Sequence, residues 1–136
     1  MLAPFDEPEG APRLQTTVLE APRSEWKVVH DLARDKHALV VLDDGGTYRI
    51  DAVDLTITMR GKERYSHHGG DYESVRGETY WVLEIRRDAW SVRTETRTVM
   101  TSDPERFQVH AELEAFEGDR RVHRQSWDRE IPRKVV

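Results

Sequence analysis

Polar and apolar side chains alternate along most of the second half of the chain. Over 91–101 the odd positions are mostly charged or hydroxylated, and the even positions are β-branched or apolar. The same period of two recurs over 79–86 and 107–115. This period is typical of a strand with one buried and one hydrated face. The pattern therefore predicts an antiparallel β domain, and it directs the functional question towards binding and assembly.

The first half of the chain repeats this alternation in shorter segments. They are predicted to be a strand over 26–32, a hairpin over 38–52 that turns at Asp43-Asp44-Gly45-Gly46, a strand over 55–65 and a loop over 67–71. A last strand is expected over 120–131. Seven or eight strands joined by short turns predict an all-β meander, curled into a β-sandwich or an open barrel.

Two segments leave a helix open as an alternative. Asp103 would cap a helix that begins at Pro104 and closes at Gly118. Residues 25–37 also have some helical character. The strict alternation over 107–115 favours a strand for the first of these segments.

The domain organisation follows from composition. Residues 1–23 hold four of the six prolines and are predicted to form an extended linker or arm, followed by one antiparallel β domain over 24–136. Within the arm, 14–19 could still lie against a neighbouring surface. The N-terminus lacks the basic and apolar stretches of a signal peptide. No apolar run approaches the roughly 20 residues that span a bilayer. These features, with the absence of cysteine, predict a cytoplasmic protein.

Charge narrows the range of partners. The net charge of −5 argues against a surface for nucleic acid or for acidic membranes. The local pairs Arg86–Arg87 and Arg120–Arg121 are interpreted as part of a solvated, ion-paired sheet face. On that face, Glu112 and Glu114 are expected to pair with Arg121 or Arg124 opposite.

The motifs that carry chemistry are absent. There is no Gly-x-Ser-x-Gly nucleophile elbow and no glycine-rich phosphate loop. The sequence therefore predicts neither a catalytic residue nor a cofactor for this chain.

His67, His68 and Asp71 form the densest cluster of metal-ligand side chains in the sequence. Adjacent residues of an extended chain point to opposite sides, so the two histidines do not converge, and a plain loop is favoured over a metal site. His110 and His123 are a second pair, which could face each other across the last hairpin and respond to pH. Polar pairing across the strands of a wet face is favoured over this interpretation.

The four tryptophans carry the largest apolar areas. Trp81 is expected to be buried, whereas Trp90 and Trp127 are candidates, with His110 and His123, for a surface that meets another domain. The row Thr94-Thr96-Thr98 is polar for a core. It indicates a sheet edge, hydroxyls bonded across strands, or a partly hydrated concave face.

Several runs, in order, resemble the C-terminal part of bacterial CocE/NonD-family hydrolases, which are predicted acyl esterases related to the S15-type X-Pro dipeptidyl-peptidases. The runs are Pro8-Glu9-Gly10, His30-Asp31-Leu32, 43–50, 63–66, 88–96, 115–119 and 127–133. They extend over nearly the whole chain. Their order and spacing carry the resemblance, since no single run is diagnostic.

The resemblance implies C-terminal β structure attached to an α/β-hydrolase domain with a Ser-His-Asp triad. The triad-bearing motifs have no counterpart here, so no catalytic residue is carried over. The chain is therefore expected to be a non-catalytic accessory domain. Its partner would be a catalytic α/β-hydrolase domain in the same or a separate chain, and it could also form a homo-oligomer. The alternative is a stand-alone barrel that binds a small apolar ligand.

Overall fold

The structure, a computed structural model, describes residues 10–134, which form one antiparallel sheet. Its eight strands are β1 (Thr16–Glu20), β2 (Arg23–Asp31), β3 (Lys36–Ile50), β4 (Leu55–His68), β5 (Asp71–Arg87), β6 (Trp90–Ser102), β7 (Arg106–Glu117) and β8 (Arg120–Pro132). One 3-10 turn, Asp51–Val53, links β3 to β4. The predicted all-β antiparallel class is confirmed, and both segments that left a helix open form strand and turn.

From β3 to β8, each strand pairs with the next strand in the chain. β1 and β2 lie end to end along the outer edge of β3, where β1 pairs with 47–50 and β2 pairs with 36–44. The outer edge of β8 has no partner among the described strands, so the sheet is not closed into a barrel.

The hairpin predicted over 38–52 is wrong, because β3 runs through this segment without reversing. The run Asp43 to Gly46 forms a bulge instead, where the register against β4 shifts between Asp44 and Gly46. Gly46 has a φ of +69°, which glycine adopts at little cost. Its N–H donates to Asp44 Oδ1 at 3.0 Å. At this acidic and glycine-rich run, β3 therefore contains one residue more than the facing part of β4, and the chain does not turn.

The loop predicted over 67–71 is also wrong in extent. β4 continues through His68, and only Gly69 and Gly70 form the turn before β5. Gly69 adopts a φ of +43°, the positive sign that tight hairpin turns favour. Both histidines therefore belong to a strand, which fixes their directions.

Part of the predicted arm joins the sheet. β1 pairs with β3, so the sheet begins at Thr16 and not near Ser24. Glu20, at the end of β1, accepts hydrogen bonds from Arg60 Nη2 at 2.6 Å and Thr47 Oγ1 at 3.1 Å. Residues 1–9 of the arm lie outside the described residues.

The two faces of the sheet differ sharply in chemistry. Cross-strand register places on one side, here called the apolar face, the side chains of Trp26, Val28, Leu39, Tyr48, Ile57, Met59, Trp81, Leu83, Ile85, Trp90, Val92, Met100, Val109, Leu113 and Trp127. The other side, the charged face, carries Glu78, Glu95, Arg97, Glu112, Glu114 and Arg124. Among residues 10–134 only Ala38 and Val41 are buried hydrophobic side chains, so neither face is covered by a second layer.

Candidate functional site

Large side chains of the apolar face are open to solvent. At one edge Trp26 is 70% exposed and Val28 is 79% exposed, and within the sheet Met59 and Met100 are also exposed. Monomeric proteins rarely leave a contiguous apolar surface of more than a few hundred Å² in water. The apolar face therefore has the character of an interaction surface.

The threonine row belongs to this face. Thr94, Thr96 and Thr98 lie on β6, directly opposite Leu83, Trp81 and Thr79 of β5. β6 has a hydrogen-bonded neighbour on each side, so the explanation of the row as a sheet edge is wrong.

Many side chains of the charged face form ion pairs with one another. Arg97 binds Glu78 at 2.6 Å, and Arg121 binds Glu114 at 2.7 Å. Arg124 lies 3.6 Å from Glu114 and from Glu112, so the predicted pairing of these carboxylates is confirmed. The hydrogen bond from Arg97 lowers the pKa of the Glu78 carboxyl. Exposed pairs of this kind add little stability, but they keep this face hydrated.

Three of the four residues predicted for an interaction surface lie on the apolar face. Trp90 is about half exposed at the start of β6. Trp127 and His123 lie on β8, opposite Ala111 and Ala115 of β7. Their role in a surface that meets another domain stays a prediction.

His110, the fourth, lies on the charged face. Its register partner is Asp128, whereas His123 pairs with Ala115, so the two histidines do not face each other, and His110 instead makes the favoured cross-strand polar pair. The ring donates from Nδ1 to Asp128 Oδ1 at 2.7 Å. Even-numbered and odd-numbered residues of β7 point to opposite faces, which separates the two histidines.

The Asp128 carboxylate should make His110 more basic. The hydrogen bond from the ring raises the pKa of His110 above its ordinary 6.5. Because the pKa of His110 is higher in the folded state, the charged ring stabilises the fold. This stabilisation is fully present at pH values below the pKa of the unfolded state, and it is lost as the pH rises through the pKa of the folded state. In Asp128→Asn we therefore expect the His110 titration midpoint to fall, measured by NMR of the ring protons. Asp119→Asn, in the turn between β7 and β8, should leave the midpoint unchanged, and an equal effect of both variants would contradict this explanation.

The three candidate metal-ligand residues, for which no metal site is favoured, do not converge. His68 and Asp71 are register partners on the charged side of β4 and β5. The Asp71 Oδ1 atom accepts a hydrogen bond from the Glu73 N–H at 3.0 Å. His67 points to the apolar face, where its Nδ1 atom lies 2.9 Å from the Gly69 carbonyl oxygen.

His67 is instead the last member of a row of three histidines. His30 of β2, His37 of β3 and His67 of β4 are successive register partners. The rings of His30 and His37 stack with centroids 3.8 Å apart, and those of His37 and His67 stack at 4.9 Å. We call these residues the histidine row.

Asp35 lies beside the histidine row, in the turn between β2 and β3. Its carboxylate accepts a hydrogen bond from His30 Nε2 at 3.1 Å, and this bond lowers the pKa of the Asp35 carboxyl. The sequence reasoning missed His30, His37 and Asp35 as a group. The signal was the seven-residue spacing of two histidines around a short turn, which makes them cross-strand partners in a hairpin.

The fold and these surfaces define an open, single-sheet β protein with one unpartnered apolar face and a histidine row near one end. No protein-family model, no curated protein and no solved structure matches the chain. The resemblance to CocE/NonD hydrolases therefore stays a prediction. Among the described residues no helix is long and apolar enough to cross a membrane.

Proposed function

We propose that this chain is a non-catalytic accessory β domain whose apolar face packs on the catalytic α/β-hydrolase domain of a CocE/NonD-like enzyme. The observation that carries the proposal is the uncovered apolar face, with Trp26, Val28, Met59 and Met100 exposed. The choice of partner comes from the sequence resemblance.

The arrangement of the face supports a large and permanent partner. The exposed tryptophans lie several strands apart, with Trp26 on the edge strand β2 and Trp90 on β6, and Trp81 lies on β5 next to β6. Aromatic anchors in a region poor in charge are typical of the buried centre of an interface. Many charges of the charged face are already paired with one another, so this side has less need of a partner.

In this role the domain extends the wall of the substrate entrance and leaves bond cleavage to its partner. The alternative of a stand-alone barrel for a small apolar ligand is not proposed, because the sheet is not closed and offers no enclosed barrel interior.

Two adjacent valines on the edge strand β2 provide a matched test. Val28 belongs to the apolar face, and Val29, which pairs with Ala38, belongs to the charged face. Both are exposed, at 79% and 47%. We expect Val28→Glu to weaken association with the hydrolase domain by at least about 10-fold, because a carboxylate buried without a partner is costly. Val29→Glu should leave association unchanged.

The measurement is sedimentation velocity of the chain with the hydrolase domain that its reading frame or a neighbouring gene encodes. Equal affinity of the two variants would contradict docking through the apolar face. A dimer of the chain alone that Val28→Glu dissociates would assign the face to a second copy. The absence of any hydrolase domain in the reading frame and its neighbours would also count against the proposal.

A further inference from the structure

The histidine row and Asp35 place ligand atoms where a metal ion could sit. The Nε2 atoms of His30 and His37 lie 3.1 Å and 3.5 Å from the same oxygen, Oδ1 of Asp35. One ligand atom from each of the three residues lies within 4.8 Å of the others. Tetrahedral zinc, with bonds of about 2.0–2.2 Å, separates neighbouring ligand atoms by about 3.4 Å. Both measured separations lie close to that distance.

The backbone holds this group in place from two sides. His30 and His37 are directly paired across β2 and β3, so the strands fix the spacing of their rings. Asp35 occupies the turn between them with a φ of +47°, and its carbonyl oxygen accepts a hydrogen bond from the Gly69 N–H at 2.7 Å. The turn that carries the carboxylate is therefore tied to the turn between β4 and β5.

His67 supports the group from the third strand. Its ring is nearly parallel to that of His37, with an angle of 6° between the planes. The short contact of its Nδ1 atom with the Gly69 carbonyl oxygen, a hydrogen-bond acceptor, places the ring proton on Nδ1. Stacking then limits rotation of the His37 ring and keeps its Nε2 atom towards Asp35.

We propose that His30, His37 and Asp35 bind a divalent zinc ion, and that His67 orients His37 by stacking. Two imidazoles and one carboxylate are ligands of zinc, whereas magnesium and calcium prefer sites made of oxygen atoms. Zinc would take the position that the His30 Nε2 proton now occupies against Asp35, and the ring would bind zinc as a neutral imidazole with its one proton on Nδ1. The three side chains are at least one-third exposed, so an ion has a path to them.

Three protein ligands leave one tetrahedral position for water or for a group of a bound partner. The ion would join β2, β3 and the turn between them, at the edge of the sheet that β2 forms. Assembly of this site does not require the proposed hydrolase partner, because all its ligands belong to one hairpin.

Calorimetric titration of the untagged 136-residue chain with zinc chloride tests the site. We expect one equivalent of zinc to bind, and magnesium chloride to give no saturable heat. His37→Ala and Asp35→Asn should each weaken zinc binding by more than about 100-fold, beyond the range for groups that only orient a ligand. Asparagine tolerates a positive φ, so Asp35→Asn keeps the turn. His67→Ala should cost about 10-fold, as an orienting group does.

His68→Ala is the matched control, because His68 adjoins His67 on β4 and points to the opposite face. It should bind zinc as the parent does, and substitution of cobalt should give the absorption of a tetrahedral site in both. The proposal is overturned if the parent shows no saturable zinc binding, if His68→Ala loses as much affinity as His37→Ala, or if Asp35→Asn retains full affinity. Unchanged affinity in His67→Ala would overturn the orienting role. Circular dichroism of each variant separates loss of the site from loss of the fold.

Discussion

Replacing Gly46 with alanine is expected to cause the largest loss of stability that a single methyl group can produce in this chain. Gly46 lies in the β3 bulge with a φ of +69°, where an L-residue costs roughly 1–3 kcal/mol. A Cβ atom there would also overlap the Glu20 carbonyl oxygen and come within 2.9 Å of the backbone at Ala21 and Pro22. Backbone cannot rotate away as a side chain can, so we expect a total loss of about 4 kcal/mol.

Alanine substitutions at two other glycines distinguish the cost of backbone strain from the cost of the steric clash. Gly118 has a φ of +56°, and a methyl group on it would meet only open space, so Gly118→Ala reports the backbone strain alone. Gly45, next to Gly46, has no positive φ, and the nearest contact of a methyl group there would be the Met59 carbonyl oxygen at 3.3 Å. Urea unfolding followed by tryptophan fluorescence should rank the loss as Gly46→Ala well above Gly118→Ala. A loss for Gly46→Ala no larger than that for Gly118→Ala would show that β1 moves aside freely.

Gly46 also explains why the edge of the sheet is divided into two strands. β1 leaves β3 at Glu20 and β2 begins beside Asp44, so the two edge strands meet at the bulge. The bulge twists the long strand locally, and Pro22, which has no N–H to donate, lies in the gap. The same acidic and glycine residues that predicted a turn thus form a bulge in β3, and the edge strands β1 and β2 are separated at that bulge.

Alternation along the sequence was sufficient to predict the class and most of the strands. The period of two over 91–101 and 107–115 became β6 and β7, and it also indicated which side chains share a face. It could not decide between a turn and a bulge at Asp43-Asp44-Gly45-Gly46, because both use glycine at positive φ. The difference depends on β4, which pairs with β3 on both sides of the bulge, and that pairing is not local.

The candidate sites were less accessible to sequence reasoning, for a related physical reason. His67, His68 and Asp71 are close in sequence, but strand geometry directs the two histidines to opposite faces. The group that forms joins His30 and His37 across a hairpin, so its recognition requires the register of β2 against β3. A shift of one residue in that register would have moved one histidine to the other face.

The apolar and charged faces together explain how one sheet layer can serve a larger assembly. Ion pairs such as Arg97 with Glu78 neutralise many charges on one side without any partner. The other side has only partial cover, since its large side chains shield one another across the strands and nothing lies above them in the described chain. In the proposed assembly the partner supplies the missing layer, and the sheet contributes a surface whose register is already set.

Within the apolar face, the contact most sensitive to substitution is the one between Gly61 and Trp81. They are direct register partners on β4 and β5, and the indole ring lies over the glycine. A Cβ atom on Gly61 would meet three ring atoms at 2.6–2.7 Å. Gly61→Ala must therefore displace the ring, and we expect a loss of about 1–3 kcal/mol in the free energy of unfolding, together with a red shift of tryptophan emission as the ring enters water.

Gly77→Ala is the matched control on the same face. Gly77 is paired with Tyr65, and a Cβ atom there would lie 3.5 Å from the tyrosine ring, an ordinary contact. Since alanine costs less conformational entropy than glycine, this variant should be neutral or slightly stabilising. If Gly61→Ala is as mild as Gly77→Ala and leaves the emission unchanged, Trp81 does not rest on Gly61. The indole would then be free to turn towards a partner, and the apolar face would lack its central anchor.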